Sequence, residues 1–292
     1  MTLSEGMTKI FDSMFFDCKQ LSSFNFPSTV TEIGMAAFRN CESLKTITIP
    51  KKITTVGSGA FAQSGLVSGS FEYGTVNIPD HVFQGCNSMA TITMPDTVKT
   101  IGEEAFNACN GMEKIEFSSS LETIGVKAFY YCKGLKTVTF PESLVKTDQS
   151  AFEGCSALEE VNLNENIQYV KGFNNCTSLK SVVVPKNADI SGSKFGFAGR
   201  EAIKDFILYG YSGSKAEKYA SANGVKFVAI DKMLLGDVNG DGFVNITDAT
   251  LIQKYCAKLV GESDINLDVV DVNNDGEINI SDATAIQKIL VS

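Results

Sequence analysis

Large apolar side chains return at a nearly constant interval through the first 185 residues. Phe15, Phe38, Phe61, Phe83, Phe106, Phe129, Phe152 and Phe173 are separated by 23, 23, 22, 23, 23, 23 and 21 residues. Cys follows each by three, at 18, 41, 86, 109, 132, 155 and 176, with Ser64 standing in once. Next comes Leu-x-x-Ile-x-Ile or a relative, as in Leu44-Ile47-Ile49, Met89-Ile92-Met94, Leu135-Val138-Phe140 and Leu179-Val182-Val184. Alternation of period two predicts a short strand with one face buried. Pro often ends the strand, and Ile-Gly (Ile33-Gly34, Ile101-Gly102, Ile124-Gly125) is read as closing the turn. One such phrase cannot bury its Phe, Leu and Ile alone, whereas stacked copies align them into one core. Self-similarity at this period therefore predicts a leucine-rich-repeat solenoid.

The pattern loosens over 187–200, and Ile203-x-x-Phe206-x-Leu208 predicts a ninth strand. Ser214 followed by Glu217 reads as a capping box opening a helix that Gly224 ends, with a closing strand over 225–230. Residues 201–230 form the expected cap, so the solenoid domain is read as 1–230, followed by a short linker at 231–236. The strand positions that face away from the core are mostly Thr and Ser, as at Thr46/Thr48, Thr91/Thr93 and Thr137/Thr139, and the chain has no Trp. They suit β-structure on propensity alone, or a weak, avidity-driven binding face.

From 237 the periodicity changes. Asp237-Val238-Asn239-Gly240-Asp241-Gly242-Phe243-Val244-Asn245-Ile246-Thr247-Asp248 returns 34 residues later as the stretch Asp271 to Asp282. Oxygen side chains fall at loop positions 1, 3, 5, 9 and 12 with Gly at 6, the EF-hand arrangement for a hard, oxygen-seeking cation. The candidate ligands are Asp237, Asn239, Asp241, Phe243 through its carbonyl, Asn245 and Asp248, then Asp271, Asn273, Asp275, Glu277 through its carbonyl, Asn279 and Asp282. Position 12 departs from the usual EF-hand, because Asp replaces the longer Glu. Two loops imply two Ca²⁺ ions. Each opens a matching helix, and no full helix precedes either loop. On helical phase, Val244/Ile278, Ile252/Ile286 and Tyr255/Ile289 are core candidates. Ile246, Thr247, Thr250, Gln253, Lys254 and Lys258 form an exposed stripe that Ile280, Ser281, Thr284, Gln287 and Lys288 repeat.

The Ala-Phe-x-x-Cys-x-x-Leu phrase resembles the BspA-like leucine-rich-repeat family of bacterial surface proteins. The half-EF-hand duplication over roughly 235–292 resembles a type I dockerin, the docking module of cellulosomal proteins. The resemblance implies an α+β chain: a solenoid with a C-terminal cap, then a small all-α calcium-binding dockerin over 237–292. It implies a cohesin module of a scaffoldin as partner, contacted through Ile246, Thr247, Gln253 and Lys254, or Ile280, Ser281, Gln287 and Lys288. It also implies an extracellular, cellulosome- or cell-surface-associated protein, with an unknown protein or cell-surface ligand for the solenoid.

Charge and composition narrow the alternatives. The formal net charge is −9, and from Asp231 onward 11 Asp/Glu against 4 Lys leave −7. The acidity belongs to the loops, and without a basic patch nucleic acid is not an expected partner. No apolar run is long enough to span a membrane, and residues 1–20 lack a signal-peptide pattern. Met1 is read as the start of a trimmed chain whose natural precursor was exported. The seven ladder cysteines are odd in number and locked to a core position, which favours buried free thiols over disulfides, and no Cys-x-x-Cys marks a zinc site. His81 is the only histidine and falls in an exposed turn, so no catalytic residue is assigned. The expected protein is non-catalytic. The alternatives are a polysaccharide-active or peptidase component, or a carbohydrate-binding module.

Overall fold

The computed structural model describes residues 6–231 and 234–291. The chain forms two compact units. The first runs to Tyr209 and includes Ser214–Phe227; the second holds Gly210–Gly213 and the chain from Val228. The linker expected over 231–236 contains residues 232 and 233, which lie outside the described residues.

In the first unit the Leu-x-x-Ile-x-Ile segments form short strands that pair in parallel with their equivalents one coil away. Thr46–Ile49 pairs with Ser68–Phe71, and that with Thr91–Thr93. Thr137–Thr139 pairs with Glu160–Asn162, and Ser181–Val183 with Ile207–Gly210, the ninth strand expected from sequence. Burial alternates along Thr46–Ile49, so Ile47 and Ile49 enter the core while both Thr side chains face out.

The Ile-Gly pair, expected to close a turn, is instead part of a second parallel ladder. Lys9–Ile10, Glu32–Ile33 and Thr55–Val56 pair in series, as do Asn77–Ile78, Thr100–Ile101, Thr123–Ile124 and Lys146–Thr147. Buried main chain must find partners on every side of a coil, and a two-residue strand does so here. The glycine supplies the bond: Gly34 N–H donates to Ile10 O at 2.8 Å and Gly102 N–H to Ile78 O at 2.9 Å. A Cβ on Gly34 would fall 2.5 Å from the main-chain nitrogen of Asp12, which excludes a side chain.

The repeat Phe rings stack down the axis with centroids 4.6–5.8 Å apart and planes within 29°. The stack has a ninth member, Phe195, so the stretch over 187–200 is a coil and not a loose connection. It lacks the Cys and ends in a hairpin, Phe197–Ala198 against Glu201–Ala202, which hid it from the repeat pattern. Left-handed residues flank the Phe, as Ala36 (φ 51°) and Asn40 (φ 63°) flank Phe38. This turns the chain sharply enough to point the ring inward. Between them Phe38 N–H donates to Ala60 O at 2.7 Å, joining the coils on a third side.

All eight cysteines are free, and the six at 41, 86, 109, 132, 155 and 176 are buried. Each thiol donates to the carbonyl of the repeat Phe one coil back, as Cys132 Sγ does to Phe106 O at 3.0 Å. Cys18, read as a buried ladder member, is exposed: it belongs to the first Phe coil, with no earlier repeat Phe behind it.

Helix α1 (Lys215–Asn223) caps the ninth coil. Ser214 Oγ accepts from Glu217 N–H at 3.3 Å, and Gly224 ends the helix at φ 66°. Its buried face is Ala216, Tyr219 and Ala220, and Tyr219 Oη donates to Phe195 O at 3.0 Å. The strand Lys226–Ala229 joins the sheet beside Ile207–Gly210.

The second unit contains helix α2 (Ile246–Cys256) and helix α3 (Ile280–Leu290). They pack together over a small core of Val238, Ala249, Ile252, Ile265, Val269, Val270, Ala283 and Ile286. Ile278 and Ile289, read as core partners of Val244 and Tyr255, are exposed. Ile278 precedes α3 in the loop, and Ile289 lies in its last turn, outside the core that Ala283 and Ile286 enter.

Candidate metal centre and docking face

The two loops close through the same set of bonds. Asp237 is buried, and its Oδ1 accepts from Asp241 N–H at 3.1 Å and its Oδ2 from Gly242 N–H at 2.9 Å. Asn239 Oδ1 accepts from Asp241 N–H, and Asp241 Oδ1 from Phe243 N–H, both at 2.9 Å. In the second loop Asp271 holds Asp275 N–H and Gly276 N–H at 3.1 and 2.9 Å, Asn273 holds Asp275 N–H, and Asp275 holds Glu277 N–H. Short side chains bonding two to five residues ahead bend the chain back on itself. The turn passes through Gly242 (φ 85°) and Gly276 (φ 84°), a region open to Gly at no steric cost.

Asp248 and Asp282, fully buried, tie each loop to its helix. Asp248 Oδ1 accepts from Val238 and Asn239 N–H at 3.1 and 3.2 Å, while Oδ2 accepts from Asn245 N–H at 2.8 Å. Asp282 does the same with Val272, Asn273 and Asn279. Asn245 and Asn279 cap α2 and α3, their Oδ1 accepting from Thr247 and Ser281 N–H at 2.8 Å. The Asn-x-x-Asp pair is thus a capping box as well as loop positions 9 and 12, a double role that its spacing announced and ligand counting overlooked. Burial pushes the Asp248 carboxyl above the usual carboxylate value, against the amide bonds that favour its charged form; the Asp241 and Asp237 carboxylates push the same way.

This donor set fits a hard cation. Each loop offers carboxylates, Asn amide oxygens and one main-chain carbonyl, with no sulfur or imidazole among them. Among the described residues no three His, Cys, Asp or Glu side chains converge as a metal site, the two loops included, so the fit rests on the kind and order of the donors.

The residues assigned to the partner are all on the surface. Ile246 and Ile280 are 56% and 55% exposed, large values for Ile beginning a helix. Thr247, Thr250, Gln253, Lys254 and Lys258 on the α2 side are exposed, as are Ser281, Thr284, Gln287 and Lys288 on α3. Thr250 and Thr284 donate their hydroxyls to Ile246 O and Ile280 O, at 2.8 and 3.1 Å, so both copies present the same surface. Sequence phase missed Leu259 beside Lys258, which is 74% exposed.

Residues 1–89 and 76–204 match the profile of the BspA type leucine-rich repeat region, in six copies. Residues 235–291 match the dockerin type I domain. The fold is similar to that of a leucine-rich repeat protein from Bacteroides ovatus, at 21% identity and TM-score 0.52, covering 77% of this chain and 76% of that one. It is also similar to the pneumococcal vaccine antigen PcpA, at 18% identity and TM-score 0.51, covering 76% of this chain and 67% of that one. No curated protein matches the chain. Dockerin type I domains bind calcium and cohesin modules, and neither matched module is a catalytic kind. Both kinds are typically extracellular or attached to the cell surface, and no helix among the described residues is long and apolar enough to cross a membrane.

Proposed function

Because the chain belongs to the BspA type leucine-rich repeat family and ends in a dockerin type I domain, we propose that it is a non-catalytic component of a cellulosome-type assembly. Its C-terminal unit docks onto the cohesin of a scaffoldin, and its solenoid is the module brought to that scaffold. The observation that carries this reading is the duplication. Two oxygen-lined loops with matching hydrogen bonds each open a helix that presents the same exposed Ile, hydroxyl and Lys stripe.

Asp237, Asn239, Asp241, Asn245, Asp248 and the Phe243 carbonyl would hold one calcium. Asp271, Asn273, Asp275, Asn279, Asp282 and the Glu277 carbonyl would hold the other. Bound calcium neutralises carboxylates that otherwise repel one another in each loop. The protein's own share is to bend the loops through Gly242 and Gly276 and to cap α2 and α3 with Asn245 and Asn279. Ile246/Thr247 and Ile280/Ser281 then stand at the mouths of the helices for the partner.

Titration of the full chain with a panel of cohesins, with and without chelator, tests the proposal. The expected result is saturable binding to at least one cohesin in calcium and none in excess EDTA. Binding that survives EDTA unchanged overturns it.

A further inference from the structure

The second ladder of the solenoid is open between Val56 and Asn77. Thr55–Val56 pairs backward with Glu32–Ile33 and Asn77–Ile78 forward with Thr100–Ile101, and no bond joins the two strands among the described residues. The sequence supplies the reason. Gly34, Gly57, Gly102 and Gly125 each donate an amide to the coil behind. The equivalent residue in the intervening coil is Pro79, which has no N–H. The same coil carries Thr75 where its neighbours bury Ile53 and Val98. The missing bond and the smaller side chain open a cleft of about 470 Å³, lined by Ile49, Ile53, Val56, Phe71, Thr75 and Pro79 among others.

The cleft is bounded, because the two coils remain bonded on either side of it. Glu72 N–H donates to Ile49 O at 3.0 Å, and Gly59 N–H to Asp80 O at 3.3 Å. Within it the main chain is unspent. Thr31 O and Ile33 O accept from the next coil, whereas among the described residues Thr54 O and Val56 O, their equivalents, receive no donor. Across the gap the Val76 and Asn77 amides have no main-chain acceptor among the described residues. Carbonyls on one bank, amides on the other and an apolar floor are what the backbone of an extended peptide requires.

We propose that this cleft receives an extended segment of a partner protein as an added strand. The segment's main chain bonds Thr54 O and Val56 O on one side and the Asn77 amide on the other, and a β-branched side chain fills the space beside Thr75. This site is independent of the calcium loops, so it stands or falls apart from the docking reading.

The probe is a terminally blocked Thr-Val-Thr-Val-Thr peptide titrated into the full chain, with amide exchange followed in parallel. Saturable binding in the millimolar range or tighter is expected, together with slowed exchange at Asn77, both unchanged by EDTA. N-methylation of the two Val amides abolishes binding. Pro79→Gly restores the donor to Val56 O and Thr75→Val fills the floor; each weakens binding by about tenfold or more, a change of about 1.4 kcal/mol. Melting curves establish that both variants are folded, and Thr75→Val stands alone if Pro79→Gly is not. No saturable binding, equal binding of the N-methylated peptide, or unchanged binding by the folded variants overturns the proposal.

Discussion

Cys132 Sγ donates a hydrogen bond of 3.0 Å to the carbonyl of Phe106, and the same pairing recurs wherever a ladder cysteine lies behind an earlier repeat Phe. The cysteine is therefore more than a small apolar filler, because it adds a second donor from the next coil to a buried carbonyl that already accepts the Cys109 N–H at 3.1 Å within its own coil. Burial pushes the Cys132 and Cys176 thiols up to about 12 and that of Cys86 to about 11, from an ordinary value of 9.0. A raised folded-state pKa means the folded chain holds these protons more tightly than the unfolded one. The stability they contribute is complete below pH 9 and is lost as pH rises through 11 and 12. Urea midpoints of the solenoid should fall steeply over that window, and Cys132→Ala should flatten the slope. At neutral pH a thiol reagent should modify only Cys18 and Cys256, the two exposed cysteines, until denaturant is added.

Phe106 lies fully buried between Phe83 and Phe129, with centroids 5.7 and 5.2 Å away. Truncation leaves a void that two coils bonded on three sides cannot close. Phe106→Ala should cost about 3–5 kcal/mol, read as a lowered urea midpoint. A loss below about 1 kcal/mol would mean that the coils relax into the gap.

The stacked core was legible because Phe and Cys recur at a fixed spacing and the Leu-x-x-Ile-x-Ile strands alternate. The second ladder was not, since two-residue strands are too short to carry a period. Nor were the left-handed positions beside each Phe. Ala36, His81, Glu104 and Lys127 adopt them despite having no common chemistry, because the bonds to the next coil impose the geometry. The turns through Gly242 and Gly276 and the starts of α2 and α3 were legible, because Gly, Asn and Asp fall at fixed offsets before each helix. Helical phase misplaced Ile278 and Ile289, because a two-helix unit has too little mass to bury every apolar position its pattern offers.

α2 and α3 have 11 residues each, below the length at which helices persist alone. Their shared core is small, and Asp237 and Asp241 push against Asp248. Chelation should therefore remove much of the helical far-ultraviolet signal and one calorimetric transition, while the solenoid's transition stays in place. Gly276→Ala forces a side chain onto φ 84° and should weaken calcium uptake at one loop only. A single unchanged transition in excess EDTA would contradict this account of the second unit.

The matched surfaces of α2 and α3 bear on how the chain docks. Ile246 and Ile280 are exposed to the same degree, each begins a helix after an Asn cap, and each is followed by a hydroxyl residue and a Lys eight positions on. On the proposed reading two equivalent faces would give a cohesin two ways to bind, and losing one would cost only the statistical factor, about twofold or ~0.4 kcal/mol. Ile246→Ala with Thr247→Ala should thus leave cohesin affinity nearly intact, and so should Ile280→Ala with Ser281→Ala. All four changes together should weaken binding by about a hundredfold or more, because truncated anchors at an interface centre typically cost about 2 kcal/mol or more. Calorimetric titration of a cohesin against the three variants checks this. If either pair alone abolishes binding, a single face docks and the second copy serves only to hold calcium and fold.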